Sequence, residues 1–334
     1  MPQSTAVMEN TTDMWVLVAL SIAAAGFAMQ LFCTRHDRRL HPAPGTFVNG
    51  LHVWPRGNDG PSVVFEAGIA ATCLNWMPVQ DALSALARTY SYDRAGLGWS
   101  RPSRGEHSLT RITDDLHALM HAIALPRPLV LVGHSFGTFV VRVYAHRFPD
   151  EVAALVLIDP VMPDEFVDPM WRSRLRLWRA AVWSQLAGVL AAFGLARLGL
   201  WGLLRRGRGN PGPLLGLSVT LRRIAQEVGK LPPDAVLLLR TRWSEPRFFR
   251  ELARAVLSLP GCAAEVTRSP VPASVPIRVL SGAHQTGGTL RAHASLATSH
   301  VVVEGSAHWI HLDRPALVAQ VILDAANERV RNGL

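Results

Sequence analysis

The chain has 334 residues, a formal net charge of +9, three cysteines and 49% hydrophobic residues. This length suits one large α/β domain with insertions, or two ordinary domains. Cys33, Cys73 and Cys262 lie far apart and in no metal or redox spacing, which excludes a disulfide scaffold. The net charge does not indicate nucleic-acid binding, because residues 166–255 alone carry a surplus of eleven positive charges and the rest of the chain is slightly acidic.

A polar N-terminal tail at residues 1–13 precedes twenty uncharged, apolar residues, Met14 to Cys33. As a helix this segment is about 30 Å long, the thickness of a bilayer core. A cleaved signal peptide would have its basic residues first, whereas here they begin afterwards, at Arg35. A buried helix of a soluble domain seldom runs so long without a polar face. By the positive-inside rule, the sequence predicts a single-pass membrane protein with its following domain in the cytoplasm.

Strand and helix patterns begin after a predicted linker at residues 34–45. Asn49-Gly50 indicates a two-residue hairpin, because both central positions of that turn need a positive φ. From residue 62 to residue 147 apolar strand patterns alternate with amphipathic helical patterns. This alternation predicts a mostly parallel sheet covered by helices on both faces.

The alternation stops at residues 165–264 and resumes with a strand at residues 277–280. We therefore predict a core formed by residues 46–164 and 265–334, with a helical cap inserted at residues 165–264. The insertion is rich in Leu, Trp and Arg. It is predicted to combine a solvated arginine face with a surface that lies against an anionic leaflet, where each nearby arginine adds about 1 kcal/mol. A second membrane span over residues 180–204 is disfavoured, because Arg197 interrupts it and both flanks are basic.

The motif GHSFG at residues 133–137 stands between an apolar run, Leu129 to Val132, and a helical pattern that opens at Phe139. A serine on such a strand-turn-helix is raised clear of its backbone, in a conformation that tolerates only small neighbours two residues away. The first amides of the helix then favour developing negative charge. Ser135 is therefore the predicted nucleophile, with a plain strand-helix turn as the alternative.

A nucleophilic serine needs a base within hydrogen-bond reach and a carboxylate that orients the base, and in sheets of this topology they follow in the order Ser, acid, His. His308 is the predicted base, because it stands in GSAHWIHLDRP, after the last predicted strand and before the closing helix. His311 falls on the other side of that turn and is predicted to pack in the core.

With these residues the chain resembles the α/β-hydrolase fold family from residue 46 to the C-terminus. The matching segments are the GHSFG elbow, EAGIAATCLNW at residues 66–76, YDRAGLGWS at residues 92–100 and HWIHLDRP at residues 308–315. The resemblance implies that the backbone amides of Ile69 and Phe136 hold the oxyanion. The family often has His-Gly where this chain has Ala-Gly, so only the backbone role carries over. Asp93 is expected to shape its own loop.

The acid is the point at which the sequence departs from that family. Members commonly place it shortly after the strand that is here at residues 277–280, but the next ten residues contain no carboxylate, and Gln285 occupies the nearest equivalent position. Some hydrolases of this fold take the acid from the preceding strand end, where Asp159 stands. Asp159 is the predicted acid, although it could also be an ordinary turn residue. Glu304 is the alternative, and a Ser-His dyad is the third case.

These features predict a membrane-anchored serine hydrolase, esterase- or lipase-like, that cleaves an apolar carboxylic ester without a metal or cofactor. The predicted partners are an ester substrate and the membrane, through residues 14–33 and the basic cap. An epoxide hydrolase or dehalogenase of this fold would need an aspartate in place of Ser135. An amidase or peptidase of the same fold stays open, as does a ligand-binding protein that has lost its catalytic acid.

Overall fold

An eight-stranded sheet forms the centre of the protein; the structure, a computed structural model, describes residues 3–167, 171–205 and 219–331. The spatial order is β1-β2-β4-β3-β5-β6-β7-β8, with β1 and β2 antiparallel to their neighbours and the remaining neighbours parallel. The strands are β1 Thr46–Val48, β2 Leu51–Arg56, β3 Ser62–Glu66, β4 Arg88–Tyr92, β5 Leu129–His134, β6 Val152–Ile158, β7 Ile277–Gly282 and β8 Ser299–Val303. The predicted α/β class with a mostly parallel sheet is confirmed.

Helices cover both faces of the sheet and form the insertion between β6 and β7. They are α1 Gln3–Leu40, α2 Met77–Leu83, α3 Leu109–Ala122, α4 Gly137–Arg147, α5 Asp164–Val167, α6 Trp171–Ala192, α7 Leu195–Arg205, α8 Val219–Val228, α9 Pro233–Trp243, α10 Pro246–Thr267, α11 Gly287–Leu296, α12 Ile310–Asp313 and α13 Pro315–Arg331. Short 3-10 helices lie at Cys73–Trp76 and Pro149–Glu151.

The predicted hairpin at Asn49-Gly50 is confirmed. Val48 pairs with Leu51 across the turn. The two turn residues have φ angles of 50° and 74°, in the left-handed region that this turn requires.

Strand β5 shows why the sheet is covered on both faces. Leu129 and Leu131 belong to one buried cluster, with side chains of α3, α4 and α10, whereas Val130 and Val132 belong to a second cluster, with side chains of α2 and α13. Successive side chains of a strand point to opposite faces, so a strand buried on both sides must be apolar at every position. The run that precedes the elbow has this composition.

Helix α10 crosses the predicted boundary between cap and core. Leu259, Cys262 and Val266 in its second half pack in the same core cluster as Leu129, while residues of its first half, such as Phe248, pack with the cap. The change from cap packing to core packing therefore lies within α10, before the predicted boundary at residue 264. Sequence composition cannot show this boundary, because one continuous helix packs on both the cap and the core.

Helix α1 continues through Leu40, seven residues into the predicted linker. The extension is explained by residues 34–40, which contain neither proline nor glycine, and Pro42 is the first residue that would stop a helix. From Gln3 onwards the predicted polar tail is also part of α1, and residues 1 and 2 lie outside the described part of the chain. The stretch Asp13–Leu40 is long and apolar enough to cross a membrane, and hardly any of it is buried, unlike the core helix of a soluble protein.

Candidate active site

Ser135 lies on a sharp turn between the end of β5 and the start of α4. Its φ is 52°, a conformation that costs a non-glycine residue about 1–3 kcal/mol and that the surroundings must impose. The Ser135 amide donates to the carbonyl of Ile158 in the neighbouring strand β6, at 3.1 Å. The turn is thereby fixed to the sheet.

The two glycines of the elbow are required by packing. A Cβ on Gly133 would lie 2.8 Å from the carbonyl oxygen of Gly137, and a Cβ on Gly137 would lie 2.4 Å from the carbonyl oxygen of Glu66. Both distances are shorter than real Cβ contacts. Helix α4 can therefore begin directly beside the end of β3, which brings the loop after β3 to the serine.

Asp159 and His308 meet at the carboxyl end of the sheet. Asp159 directly follows β6, with a φ of 42°, and one of its carboxylate oxygens, Oδ2, lies 2.6 Å from His308 Nδ1. This contact leaves Nε2 as the ring nitrogen that can serve as a base. It is also the separation that an acid orienting His308 must have.

Two further donors bond Asp159, one from the last residue of β7 and one from the loop that follows this strand. The Gly282 amide donates to Oδ1 at 3.0 Å, and Gln285 Nε2 donates to Oδ2 at 2.8 Å. Burial on its own would raise the pKa of Asp159, but the hydrogen bond and charge of His308, together with these two donors, hold it below its ordinary value. The carboxylate is thus kept ionised, as the partner of an imidazolium must be.

The loop after β3 carries the predicted oxyanion donor, Ile69, and is clamped by Arg94. The guanidinium of Arg94 donates to the carbonyls of Ala67 at 2.6 Å, Gly68 at 2.5 Å and Ile69 at 3.2 Å. It also forms an ion pair with Glu66, and it lies 5.3 Å from the centroid of the Phe136 ring. Arg94 therefore fixes the backbone of the loop through three successive carbonyls.

Asp93 has the structural role predicted for it. Its carboxylate accepts from the amides of Cys73 at 2.9 Å and Trp99 at 3.1 Å, and it pairs with His52 Nδ1 at 2.9 Å. A Cβ on Gly98 would lie 2.0 Å from Oδ2 of this carboxylate. One buried aspartate thus joins β2, the 3-10 helix at Cys73–Trp76 and the loop after β4.

Two histidines beside the site are buried. Nε2 of His134 lies 2.9 Å from the carbonyl oxygen of His308, and the His134 ring lies 4.7 Å from the His308 ring. His311 packs 4.7 Å from Trp76 and 4.4 Å from His134, between ring centroids. Burial lowers the pKa of His134 well below its ordinary value and lowers the pKa of His311 to about 3. Both rings are neutral near pH 7, and His311 has the packing role predicted for it.

A cavity of about 380 Å³ lies beside Asp159 and His308. Val161 and Trp309 line it from the core, and Ile224 of α8 lines it from the cap. Two carboxylates, Glu165 and Glu227, also line it. The cap therefore contributes part of the wall of the space beside the site.

Glu304 has no described part in the site. It is exposed in the turn after β8, and the hydrogen bonds described for His308 go to Asp159 and His134. Sequence reasoning missed Arg94 and the contact of Gln285 with Asp159. The sequence could have indicated Arg94, because this residue follows β4 and therefore lies at the sheet edge where β3 also ends.

Three groups of described residues have side chains close enough to share a metal ion: His52, Cys73 and Asp93; His117, His121 and Glu151; and Asp159, His284 and His308. In the first, His52 and Asp93 already pair with each other. In the second, Glu151 already pairs with Arg127 at 3.2 Å. The third overlaps the Asp159–His308 contact.

The chain is similar to several known proteins. A family model described as the alpha/beta hydrolase fold matches residues 61–203. YqjL of Bacillus subtilis, an uncharacterized protein, is 29% identical over 109 residues, which are 33% of this chain and 43% of that protein. The human (lyso)-N-acylphosphatidylethanolamine lipase is 29% identical over 112 residues, which are 32% of each chain.

A solved structure of a laboratory-evolved potato epoxide hydrolase matches with a TM-score of 0.65 and 21% identity, and the match covers 85% of this chain and 98% of that chain. This likeness shows the fold alone. The curated relatives above are matched over less than half of their length.

Proposed function

The chain belongs to the α/β-hydrolase fold family, and from this premise we propose that it is a membrane-anchored serine hydrolase that cleaves an apolar carboxylic ester. The observation that carries the proposal is the 2.6 Å contact between Asp159 and His308, at the end of the strand next to the one that carries Ser135. Nucleophile, base and acid candidates thereby share one edge of the sheet.

The proposed reaction begins when Ser135 Oγ attacks the ester carbonyl carbon and His308 Nε2 takes its proton. The carbonyl oxygen becomes an oxyanion, and the amides of Ile69 and Phe136 hold it; one such donor is worth about 3–4 kcal/mol. His308 then returns the proton to the departing alcohol, leaving an acyl-serine. Water, activated by the same histidine, attacks the acyl carbon and releases the carboxylic acid. Asp159 keeps the tautomer and stabilises the imidazolium throughout.

The serine favours an acyl substrate over an epoxide. Attack of Ser135 on an epoxide would leave an alkyl ether, which has no carbonyl carbon for water to attack, so the enzyme would not turn over. An aspartate at the same place would leave an ester, which water can cleave. The fold likeness to an epoxide hydrolase therefore does not extend to its substrate.

The cavity beside Asp159 and His308 has apolar walls that suit the apolar part of an ester substrate. Val161, Ile224 and Trp309 provide these walls, and the carboxylate of Glu165 disfavours an anionic substrate by charge repulsion, whereas Glu227 is already paired with Lys230 at 2.6 Å. An amide or peptide substrate would use the same chemistry, and a substrate panel separates the two.

A fluorophosphonate probe tests the proposal. The wild-type protein should be labelled and should hydrolyse p-nitrophenyl esters, and Ser135→Ala should lose both properties while keeping its thermal melting temperature. Glu304→Gln, a change at an exposed carboxylate on the same side of the sheet, is the matched control and should behave as wild type. An unlabelled, folded wild-type protein would instead support the ligand-binding alternative.

The anchor is proposed to be the apolar part of α1, with the hydrolase domain in the cytoplasm because Arg35, Arg38 and Arg39 follow the span. Protease added to intact cells should spare that domain and digest it only after lysis. Digestion before lysis, or a mature N-terminus beyond Cys33, would contradict the anchor or its orientation.

A further inference from the structure

The cap exposes an apolar face on α6. Its buried face, which includes Ala181, Ser184 and Gly188, packs on α10, where the Ser184 hydroxyl donates to the carbonyl of Phe249 at 2.8 Å. The opposite face is exposed. Its large apolar side chains, with their exposed fractions, are Trp178 57%, Trp183 68%, Leu186 48%, Val189 57% and Leu190 49%.

Helix α7 continues this apolar surface after a bend of 100° between the two helices. Leu195, Leu198 and Trp201 are about half exposed there. We call the exposed apolar residues of α6 and α7, from Trp183 to Trp201, the corner. Clusters of large exposed apolar side chains are typical of sites that bind a protein or a membrane.

Contacts with α1 fix the level of the corner along the proposed membrane span. The rings of Phe193 and Phe27 are 6.5 Å apart between centroids. A Cβ on Gly26 would lie 2.8 Å from the carbonyl oxygen of Phe193, so the two backbones nearly touch. Gly26 lies seven residues before the end of the uncharged segment at Cys33, which is about 10 Å along a helix. If α1 spans the bilayer, the corner lies inside the leaflet on the C-terminal side of the span.

The only charge in residues 180–204 is Arg197, and α1 neutralises it. The Arg197 guanidinium lies 2.5 Å from an Asp37 carboxylate oxygen and 3.0 Å from Gln30 Oε1. A cation inside or near a membrane is tolerated when it is paired in this way. The residue that interrupts the apolar run in the sequence is thus the residue that ties the corner to α1.

We propose that the corner is a lipid-binding surface, whose occupant is the acyl-chain region of the leaflet that α1 leaves at its C-terminal end. The proposal rests on the proposed membrane anchor. Lipid is the expected occupant because the surface continues from α1 and its one charge is already paired. In addition, the part of α6 before the corner has exposed arginines, Arg174, Arg176 and Arg179, which anionic headgroups would meet. The hydrolase domain is then held against the membrane at two places.

Spin labels on the full-length protein in phosphatidylcholine nanodiscs test the inference. Cys33→Ser provides the background, since Cys73 and Cys262 are buried. Single cysteines replace Leu190 or Leu186 at the corner, Leu20 in the span, and Leu317 on α13 as the exposed control in the core. The readouts are collision rates with oxygen, which concentrates in lipid, and with a nickel chelate, which stays in water.

We expect high oxygen and low nickel accessibility at Leu20, Leu186 and Leu190, and the reverse at Leu317. Lipid-like values at Leu20 with water-like values at both corner sites would overturn this inference and leave the anchor intact. Water-like values at Leu20 would overturn the anchor and the inference together. Low accessibility to both reagents at the corner would mean that protein, such as a second copy of the chain, covers it, and would also overturn the inference.

Discussion

The α/β core is distinguished by buried, paired carboxylates at the carboxyl ends of its strands, and the helical cap by large apolar side chains left exposed on α6. In the core, three buried carboxylates are paired at the carboxyl ends of strands, as Glu66–Arg94, Asp93–His52 and Asp159–His308. In the cap, large apolar side chains such as Trp183 are left exposed on α6. The core therefore supplies the chemistry, and the cap determines the surroundings in which the chemistry takes place. Changes to paired groups of the core should alter turnover or stability in detergent, where the bilayer is absent.

The largest expected effect comes from breaking the pair that orients the base. Asp159→Asn should lower kcat about ten-thousandfold, because His308 would adopt the wrong tautomer and its positive charge would have no counter-charge. Esterase kinetics on a soluble p-nitrophenyl ester measure this loss, and Glu304→Gln is the control that should stay near wild type. A kcat within tenfold of wild type in folded Asp159→Asn would point to a Ser-His dyad.

A smaller effect is expected from loosening the loop that carries Ile69. Arg94→Lys keeps a cation beside the buried Glu66, but its three N–H donors cannot replace the four contacts of the guanidinium, one with Glu66 and three with successive carbonyls. We expect kcat to fall about 100-fold, approaching the loss of one oxyanion donor, with KM little changed. Rates are normalised to the number of active sites titrated by fluorophosphonate, so that loss of folded protein is not counted as loss of turnover. An equal rise in KM with kcat unchanged would contradict the proposed positioning role.

The sequence predicts the parts of this molecule that follow a repeated pattern. Alternating strand and helix patterns located the sheet, and the order of elements located Ser135 and His308 at the same sheet edge. The positions of Arg94 and Gln285 beside the site depend on how strands that are distant in the sequence align in the sheet. No local sequence pattern encodes that alignment. The pairing of Arg197 with Asp37 was hidden for the same reason, since 160 residues separate them. A paired cation and an unpaired one look alike in a sequence.

The stability of the core should depend on pH, because His311 is buried there and its pKa is lowered from 6.5 to about 3. Between these two pH values the unfolded chain binds a proton that the folded protein excludes. The contribution of His311 to the free energy of unfolding should therefore fall by about 1.4 kcal/mol for each pH unit between 6.5 and 3, and it is constant above 6.5.

His311→Phe should remove one such proton from the slope and still pack against Trp76, since His311 Nδ1 has no hydrogen-bond partner among the described residues. Urea unfolding in detergent between pH 4.5 and 7 measures the slope. His146→Asn, at an exposed histidine, should leave the slope as it is in the wild type. An unchanged slope in His311→Phe would mean that this ring does not exclude the proton.

The smallest expected effect concerns Gln285, which stands where family members commonly carry the acid and here donates to Asp159 at 2.8 Å. Gln285→Ala removes one of the donors that hold the pKa of Asp159 below its ordinary value, while His308 and the Gly282 amide keep theirs. At pH 7 the carboxylate stays ionised, so kcat should fall less than tenfold.

The change should appear in acid. With one donor fewer, the Asp159–His308 pair holds a proton more strongly, and a proton held by this pair stops His308 from acting as a base, so the acidic limb of the kcat profile moves to higher pH. Gln285→Glu is the sharper variant, because a second carboxylate beside Asp159 disfavours ionisation of both and should shift that limb further in the same direction. A limb at the wild-type position in both variants would show that Gln285 fills space beside the acid without tuning it.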